Sequence, residues 1–208
     1  DVYKRQLISC VTILCLLPTL GLAQPFGEDD WPQWRGKGRD GLSSERINKT
    51  WPADGLKELW RIPVGNGYSA MSVAQGRLYT IWTADGKTLL VCLDATSGEQ
   101  IWQRSLDDAY NHSNGNGPRS TPTVDGNLVF TVSPRSKLHA VRANDGEVVW
   151  MHDLRAEYNG RIPEWGISTS VLVKDNRVYV DVGGKQNYAV MAFARDTGDV
   201  LWHSQTDI

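Results

Sequence analysis

A glycine followed four residues later by a tryptophan closes three stretches of this 208-residue chain. They read Ala95-Thr96-Ser97-Gly98-Glu99-Gln100-Ile101-Trp102, Ala143-Asn144-Asp145-Gly146-Glu147-Val148-Val149-Trp150 and Arg195-Asp196-Thr197-Gly198-Asp199-Val200-Leu201-Trp202. A second beat precedes each one: Gln75-Gly76-Arg77-Leu78-Tyr79, Asp125-Gly126-Asn127-Leu128-Val129 and Asp175-Asn176-Arg177-Val178-Tyr179. Its turn positions 76, 126 and 176 are spaced by 50 and 50. Such a period marks an array of supersecondary units, each of which buries its apolar face only against a neighbour.

Within the first repeat the pattern predicts strands over 70–74, 77–83, 88–93 and 99–104, with turns at Gln75-Gly76, Ala84-Asp85-Gly86 and Ser97-Gly98. Short β-branched and aromatic runs separated by Asp, Asn and Gly are hairpin signals, because those residues accept the positive φ that tight turns need. The second strands Leu128-Val129-Phe130-Thr131-Val132 and Val178-Tyr179-Val180 are apolar on both faces, which fits sheets stacked face to face. No stretch shows a helical period. The expected fold is all-β, a β-propeller of four-stranded antiparallel blades with about three complete blades. Residues 56–62 carry Trp60 where an outer strand would carry it, with no blade before it, and predict an N-terminal closing strand. Closed propellers have roughly four to eight blades, so the expectation is a partial ring, the N-terminal part of a longer propeller. The predicted boundaries are 24–55 for an N-terminal extension, 56–66 for the closing strand, and 67–106, 107–156 and 157–208 for the blades.

The Gly-His and Trp-Asp signatures of WD40 blades are missing, and the paired glycine of kelch blades occurs once, at Gly183-Gly184. The run from Cys92-Leu93-Asp94-Ala95-Thr96-Ser97-Gly98 to Trp102 instead resembles the pyrroloquinoline quinone (PQQ) repeat. The other copies depart from it, with Arg142 and Ala194 in the place of Asp94. Asp30-Trp31-Pro32-Gln33-Trp34-Arg35-Gly36, Arg39-Asp40-Gly41, Leu59-Trp60 and Gly117-Pro118-Arg119-Ser120-Thr121-Pro122 are similar to exported bacterial PQQ-binding-like propeller proteins. The resemblance covers essentially all of the chain after its leader. It implies that Trp60, Trp102, Trp150 and Trp202 dock on neighbouring blades, with Gly98, Gly146 and Gly198 shaping the turns. Through related dehydrogenases it also implies PQQ with calcium. The adjacent cysteines and the Cys-x-x-Cys-His haem motif of such enzymes are missing here, and no Asp or Glu is assignable to a metal. No catalytic residue, metal ligand or resident cofactor is therefore assigned.

In a propeller the segments leading into the innermost strands open towards the central channel. Here they are Tyr68-Ser69-Ala70, Pro118-Arg119-Ser120 and Ser168-Thr169-Ser170, with Trp165 just before the third. Hydroxyls around one guanidinium suit an anionic or quinone-like ligand, and Trp165 suits stacking on a planar ring. The alternative is structural: the hydroxyls satisfy strand-end backbone groups, Arg119 pairs with a carboxylate and Trp165 fills a gap between blades. His112, His139, His152 and His203 show no metal-ligand spacing.

A net charge of −2 with 40% hydrophobic residues argues against a nucleic-acid-binding surface. The apolar run over 7–17, then Pro18 and Gly21-Leu22-Ala23, reads as a signal peptide over 1–23, its first six residues resembling a non-native cap. Export to the periplasm or outside the cell follows, with no membrane span in the mature chain. Of the three cysteines, Cys10 and Cys15 fall in this leader, and Cys92 is predicted to be a buried thiol. Two functions fit: a scaffold that holds a protein or small ligand, as the outer-membrane assembly propellers do, or a PQQ-dependent alcohol or sugar dehydrogenase.

Overall fold

Each sequence repeat folds into one four-stranded antiparallel sheet whose strands follow one another in a meander. The structure, a computed structural model, describes residues 26–184 and 188–204. The leader assigned to 1–23, with Cys10 and Cys15, lies outside the described residues. The first sheet holds β1 (Ser72–Ala74), β2 (Arg77–Ala84), β3 (Lys87–Asp94) and β4 (Gln100–Asp108). The second holds β5 (Thr123–Asp125), β6 (Leu128–Val132), β7 (Lys137–Arg142) and β8 (Val148–Asp153), and the third β9 (Leu172–Lys174), β10 (Arg177–Asp181), β11 (Val190–Ala194) and β12 (Val200–His203). These are successive blades of a β-propeller, all-β as expected. One helix departs from that pattern, α1 (Leu154–Tyr158), a turn too short to leave a period in the sequence. Asp153 starts it by accepting the N–H groups of Arg155 and Ala156 at 3.2 and 3.0 Å.

The spacing of the blades is 51 and 49 residues, measured on the two turn residues of each inner hairpin: 75–76, 126–127 and 175–176. Sequence alignment on Gly76, Gly126 and Asn176 is thus off by one in the second blade. Gln75 and Gly76 both have positive φ, as do Asp175 and Asn176, whereas in the second hairpin Gly126 comes first. A primed turn tolerates either arrangement, which is how the slip hides. The correct alignment is set by hydrogen bonds. Ala95, Ala143 and Arg195 each donate their N–H to the second turn residue of the inner hairpin, Gly76, Asn127 and Asn176.

That bond fixes the carbonyls of the same three residues, and each carbonyl receives an indole from elsewhere. Trp102 donates to Ala143 at 3.0 Å and Trp150 to Arg195 at 2.9 Å, each crossing to the next blade. Trp60 donates to Ala95 at 3.1 Å. The rings lie on Gly98, Gly146 and Gly198, where an added Cβ would stand 2.6–2.8 Å from ring carbons of Trp60, Trp102 and Trp150 respectively. Residues 56–65 nevertheless form no strand ladder; only Asn66 makes an isolated bridge, to Thr83. An outer strand needs an inner partner to bond with, and the described residues supply none, so Trp60 docks without one.

Two apolar clusters fill the gaps between blades. One joins Tyr79, Ile81, Cys92 and Trp102 of the first blade to Val124, Val129 and Val141 of the second; the other joins Phe130, Leu138 and Trp150 to Val178, Met191 and Phe193 of the third. Cys92 is fully buried, and burial pushes its thiol up to about 11. It sits directly across the ladder from Trp102, the place that Ala140 and Ala192 take opposite Trp150 and Trp202. A small side chain there leaves room for the indole.

Candidate functional site

The inner strands of the blades are bound along their free edge by the chain's own N-terminal segment. Trp31 and Val73 exchange both backbone hydrogen bonds, at 2.7 and 2.9 Å, and Val124 donates to Pro32 at 2.7 Å. Pro32 has no N–H to offer, and here only its carbonyl is used. Seven residues later Arg39 reaches the third blade, donating through Nη1 to Val171 at 3.1 Å and through Nη2 to Ser170 at 3.4 Å. A second Nη1 bond goes to Gln33 Oε1 at 3.3 Å. The segment folds back between these points with Gly36 at φ 77°, packed so closely on the Trp31 ring that a Cβ would stand 2.8 Å from it. This strap therefore touches the inner strands of the first two blades and the entry to that of the third.

Hydroxyls stitch the same strands together. Ser72 Oγ donates to Pro122 at 2.5 Å and Thr123 Oγ1 to Val171 at 2.9 Å, so equivalent positions of successive blades donate to the residue before the next inner strand. Thr121 N–H donates to Ser170 Oγ at 2.9 Å.

Arg119 stands between two tyrosine rings, 5.1 Å from the centroid of Tyr68 and 5.7 Å from that of Tyr110. Its Nη1 donates to Gly117 at 2.7 Å and its Nη2 to Gly115 at 2.9 Å. These bonds hold the glycine-rich loop over 110–117 closed. Gly115 has φ 127° and lies against the Tyr68 hydroxyl, where no side chain fits. No carboxylate pairs with Arg119 among the described residues, contrary to the structural alternative drawn from the sequence.

A cavity of about 310 Å³ opens between the strap and Arg119, lined by Trp34, Arg39, Arg119, Thr121, Ser168, Thr169 and Ser170. It unites Arg119, Ser168 and Thr169 of the sequence candidates. Ser120 is fully buried with its Oγ unpartnered and does not line it. Ser69 Oγ donates to the neighbouring Ala70 carbonyl at 2.8 Å. Tyr68 stays 59% exposed under Arg119. Trp165 is half exposed beside His112, ring centroids 5.3 Å apart, and lies outside the cavity. Trp34 and Arg39 were not predicted. Their residues are conspicuous in the sequence, but 131 positions separate Arg39 from Ser170 and no local period links them.

Both arginines bring a positive charge to this space, and no carboxylate lines it. Burial lowers the pKa of Arg39 from its ordinary value, and an arginine stays charged under such a load. The donors suit an anion. They do not supply the carboxylate oxygens that a calcium ion takes, and among the described residues no group of three or more His, Cys, Asp or Glu could hold a metal. An anionic quinone fits the lining in charge, its calcium partner does not.

The PQQ_2 family profile, described as outer membrane protein assembly factor BamB, matches residues 43–116 and 90–208. The chain belongs to that family. Among curated proteins, this PQQ_2 member is 33% identical over 101 residues to the outer membrane protein assembly factor BamB of Yersinia pestis, covering 45% of this chain and 25% of that one. It is 26% identical over 156 residues to the tetrathionate hydrolase of Acidithiobacillus ferrooxidans, covering 70% and 30%. Among solved structures, the quinohemoprotein alcohol dehydrogenase of Comamonas testosteroni superposes with a TM-score of 0.61 at 17% identity, over 86% of this chain and 27% of that one. This last likeness is one of fold. The PQQ_2 chain spans less than a third of the length of each of the three. Among the described residues no helix is long and apolar enough to cross a membrane.

Proposed function

We infer that this chain belongs to an exported propeller that works as a binding scaffold, holding a protein or small-molecule partner at the strapped end of its channel. The observation that carries this reading is the strap itself. The inner strand edges are engaged by Trp31, Pro32 and Arg39 of the same chain, which turns this end into a built surface with a polar cavity between Arg39 and Arg119. Membership in a family described by an assembly factor supports a partner-binding role, and the signal-like run over 7–23 supports export.

The second reading, a PQQ-dependent alcohol or sugar dehydrogenase, is favoured by the meeting of Arg119, Ser168 and Thr169 in one cavity. One experiment separates the two. The protein is incubated with PQQ and calcium and assayed for dye reduction with alcohols and glucose. The scaffold reading expects no turnover; quinone-dependent dye reduction would overturn it. Fusion of residues 1–30 to a reporter that is active only after export tests the address, and a fusion that is expressed but inactive would remove it.

A further inference from the structure

We propose that the cavity between Arg39 and Arg119 is a specific site for a small organic dianion such as a dicarboxylate. The proposal rests on the scaffold reading, since it names the ligand of the same strapped face. Three observations meet there.

The first is uncompensated charge. Neither guanidinium is in an ion pair among the described residues, whereas the buried guanidinium of Arg195 is held by both Asp125 and Asp196. Arg39 and Arg119 share a cavity whose lining contains no acidic side chain, so an anion from outside would meet two cations there and no competing carboxylate. Partial burial, which removes water from Arg39, raises the benefit of supplying one.

The second is spare donors at fixed positions. A guanidinium has five N–H groups. Arg39 uses three of them on Gln33, Val171 and Ser170, and Arg119 uses two on Gly117 and Gly115. Both side chains are thereby held in place by neutral acceptors while donors remain for a ligand. This is the preorganisation that makes charged hydrogen bonds effective, because little rotamer freedom is lost on binding. Ser170 Oγ already accepts from Thr121, so its own hydrogen is free to donate. Ser168 and Thr169 make no side-chain hydrogen bond among the described residues and line the same space.

The third is size. At about 310 Å³ the cavity lies at the small end of ligand pockets. That exceeds a bare inorganic ion, and the half-exposed Trp34 ring gives one wall an apolar surface for carbon atoms. Two cations on one cavity match two carboxylates on a short linker.

The test is calorimetric titration of the protein at low ionic strength with malonate, succinate and sodium sulfate. Saturable one-to-one binding of a dicarboxylate is expected, tighter than that of sulfate and weakened by added salt. Arg39→Gln and Arg119→Gln should each weaken it by about tenfold or more, the loss of one charged contact. Arg61→Gln, on the exposed surface, should leave it unchanged. Because Arg39 also holds backbone, Thr169→Val serves as a second variant: it removes a hydroxyl that holds nothing else and should weaken binding several-fold with the melting temperature unchanged. Absence of saturable binding, or an affinity unchanged from the wild type in either arginine variant, overturns the proposal. Sulfate binding as tightly as the dicarboxylates overturns the organic class. Quinone-dependent turnover would sink the scaffold reading and leave the anion titration to stand or fall by itself.

Discussion

The ring of Trp102 lies on Gly146, and its N–H ends on the carbonyl of Ala143, three residues earlier in the next blade. One side chain thus reads both the absence of a Cβ and the direction of a carbonyl. Arg77 Nη1 and the Tyr79 hydroxyl point to the same oxygen, at 2.6 and 3.4 Å. A turn in the second blade is gripped by three residues of the first.

Gly146→Ala should therefore cost about 2–4 kcal/mol, from a φ of 69° combined with a ring in the way. Chemical denaturation measures it. In a Trp102→Ala background the same change should cost only about 1 kcal/mol, the share due to φ alone. Equal costs in both backgrounds would show that the ring plays no part.

Asp107 closes the other side of that interface. Its carboxylate is almost fully buried, accepting from Ser133 Oγ at 2.7 Å and from Lys137 Nζ at 2.9 Å, both in the second blade. Asp107→Ala leaves an ammonium and a hydroxyl without their partner, and should destabilise by about 3 kcal/mol or more. The exposed pair Lys87–Asp108 beside it is open to solvent and salt, and Asp108→Ala should shift the denaturation midpoint far less than Asp107→Ala does.

His139 makes stability depend on acidity. Burial pushes its pKa down from 6.5 to about 4, and its Nδ1 donates to the Lys137 carbonyl at 3.2 Å. Between these values the unfolded chain binds a proton that the folded one refuses. Stability is full above pH 6.5, falls as pH drops towards about 4 and levels off below, by up to about 3 kcal/mol for this group. Unfolding curves at stepped pH should show the slope, and His139→Gln should flatten it. An unchanged slope in the variant would assign it to other groups.

The strap predicts a pattern of amide exchange. The N–H groups of Val73 and Val124 are bonded to Trp31 and Pro32. Trp31→Ala, which empties the contact with Gly36, should speed exchange at both amides while Val91 and Val141, deep in β3 and β7, keep their protection. Uniform acceleration across the blades would mean that the strap supports the whole ring rather than its inner edge.

The blades were legible because their signals are local. A turn glycine, four residues and a tryptophan lie within one hairpin, so sequence order and spatial order coincide. The off-by-one in the second blade shows the limit: Gly126 serves as first turn residue where Gly76 serves as second, and only the bonds from Ala143 to Asn127 and from Ala95 to Gly76 reveal it. The site was harder. Arg119, Ser168 and Thr169 were placed by the repeat logic of the channel mouth. Arg39 and Trp34 come from a segment outside any repeat, which meets the blades through backbone carbonyls. Any residue can offer a carbonyl, so no side-chain pattern announces such a contact. Ser120 and Trp165 follow the same logic as Arg119 yet miss the cavity, because period fixes a position along the strand and leaves side-chain direction to local packing.

Arg177, Tyr179 and Trp202 repeat on the third blade the trio formed by Arg77, Tyr79 and Trp102, and they line an open cleft of about 580 Å³. At the opposite flank, the Gly98 turn is already filled by Trp60. Every blade is thus a plug on one side and a socket on the other, so assembly has a compass: units add head to tail, in one sense of rotation only. The socket is also undemanding. Trp60 enters it from the N-terminal segment, so a turn glycine with a carbonyl three residues before it accepts an indole whichever part of the chain delivers it.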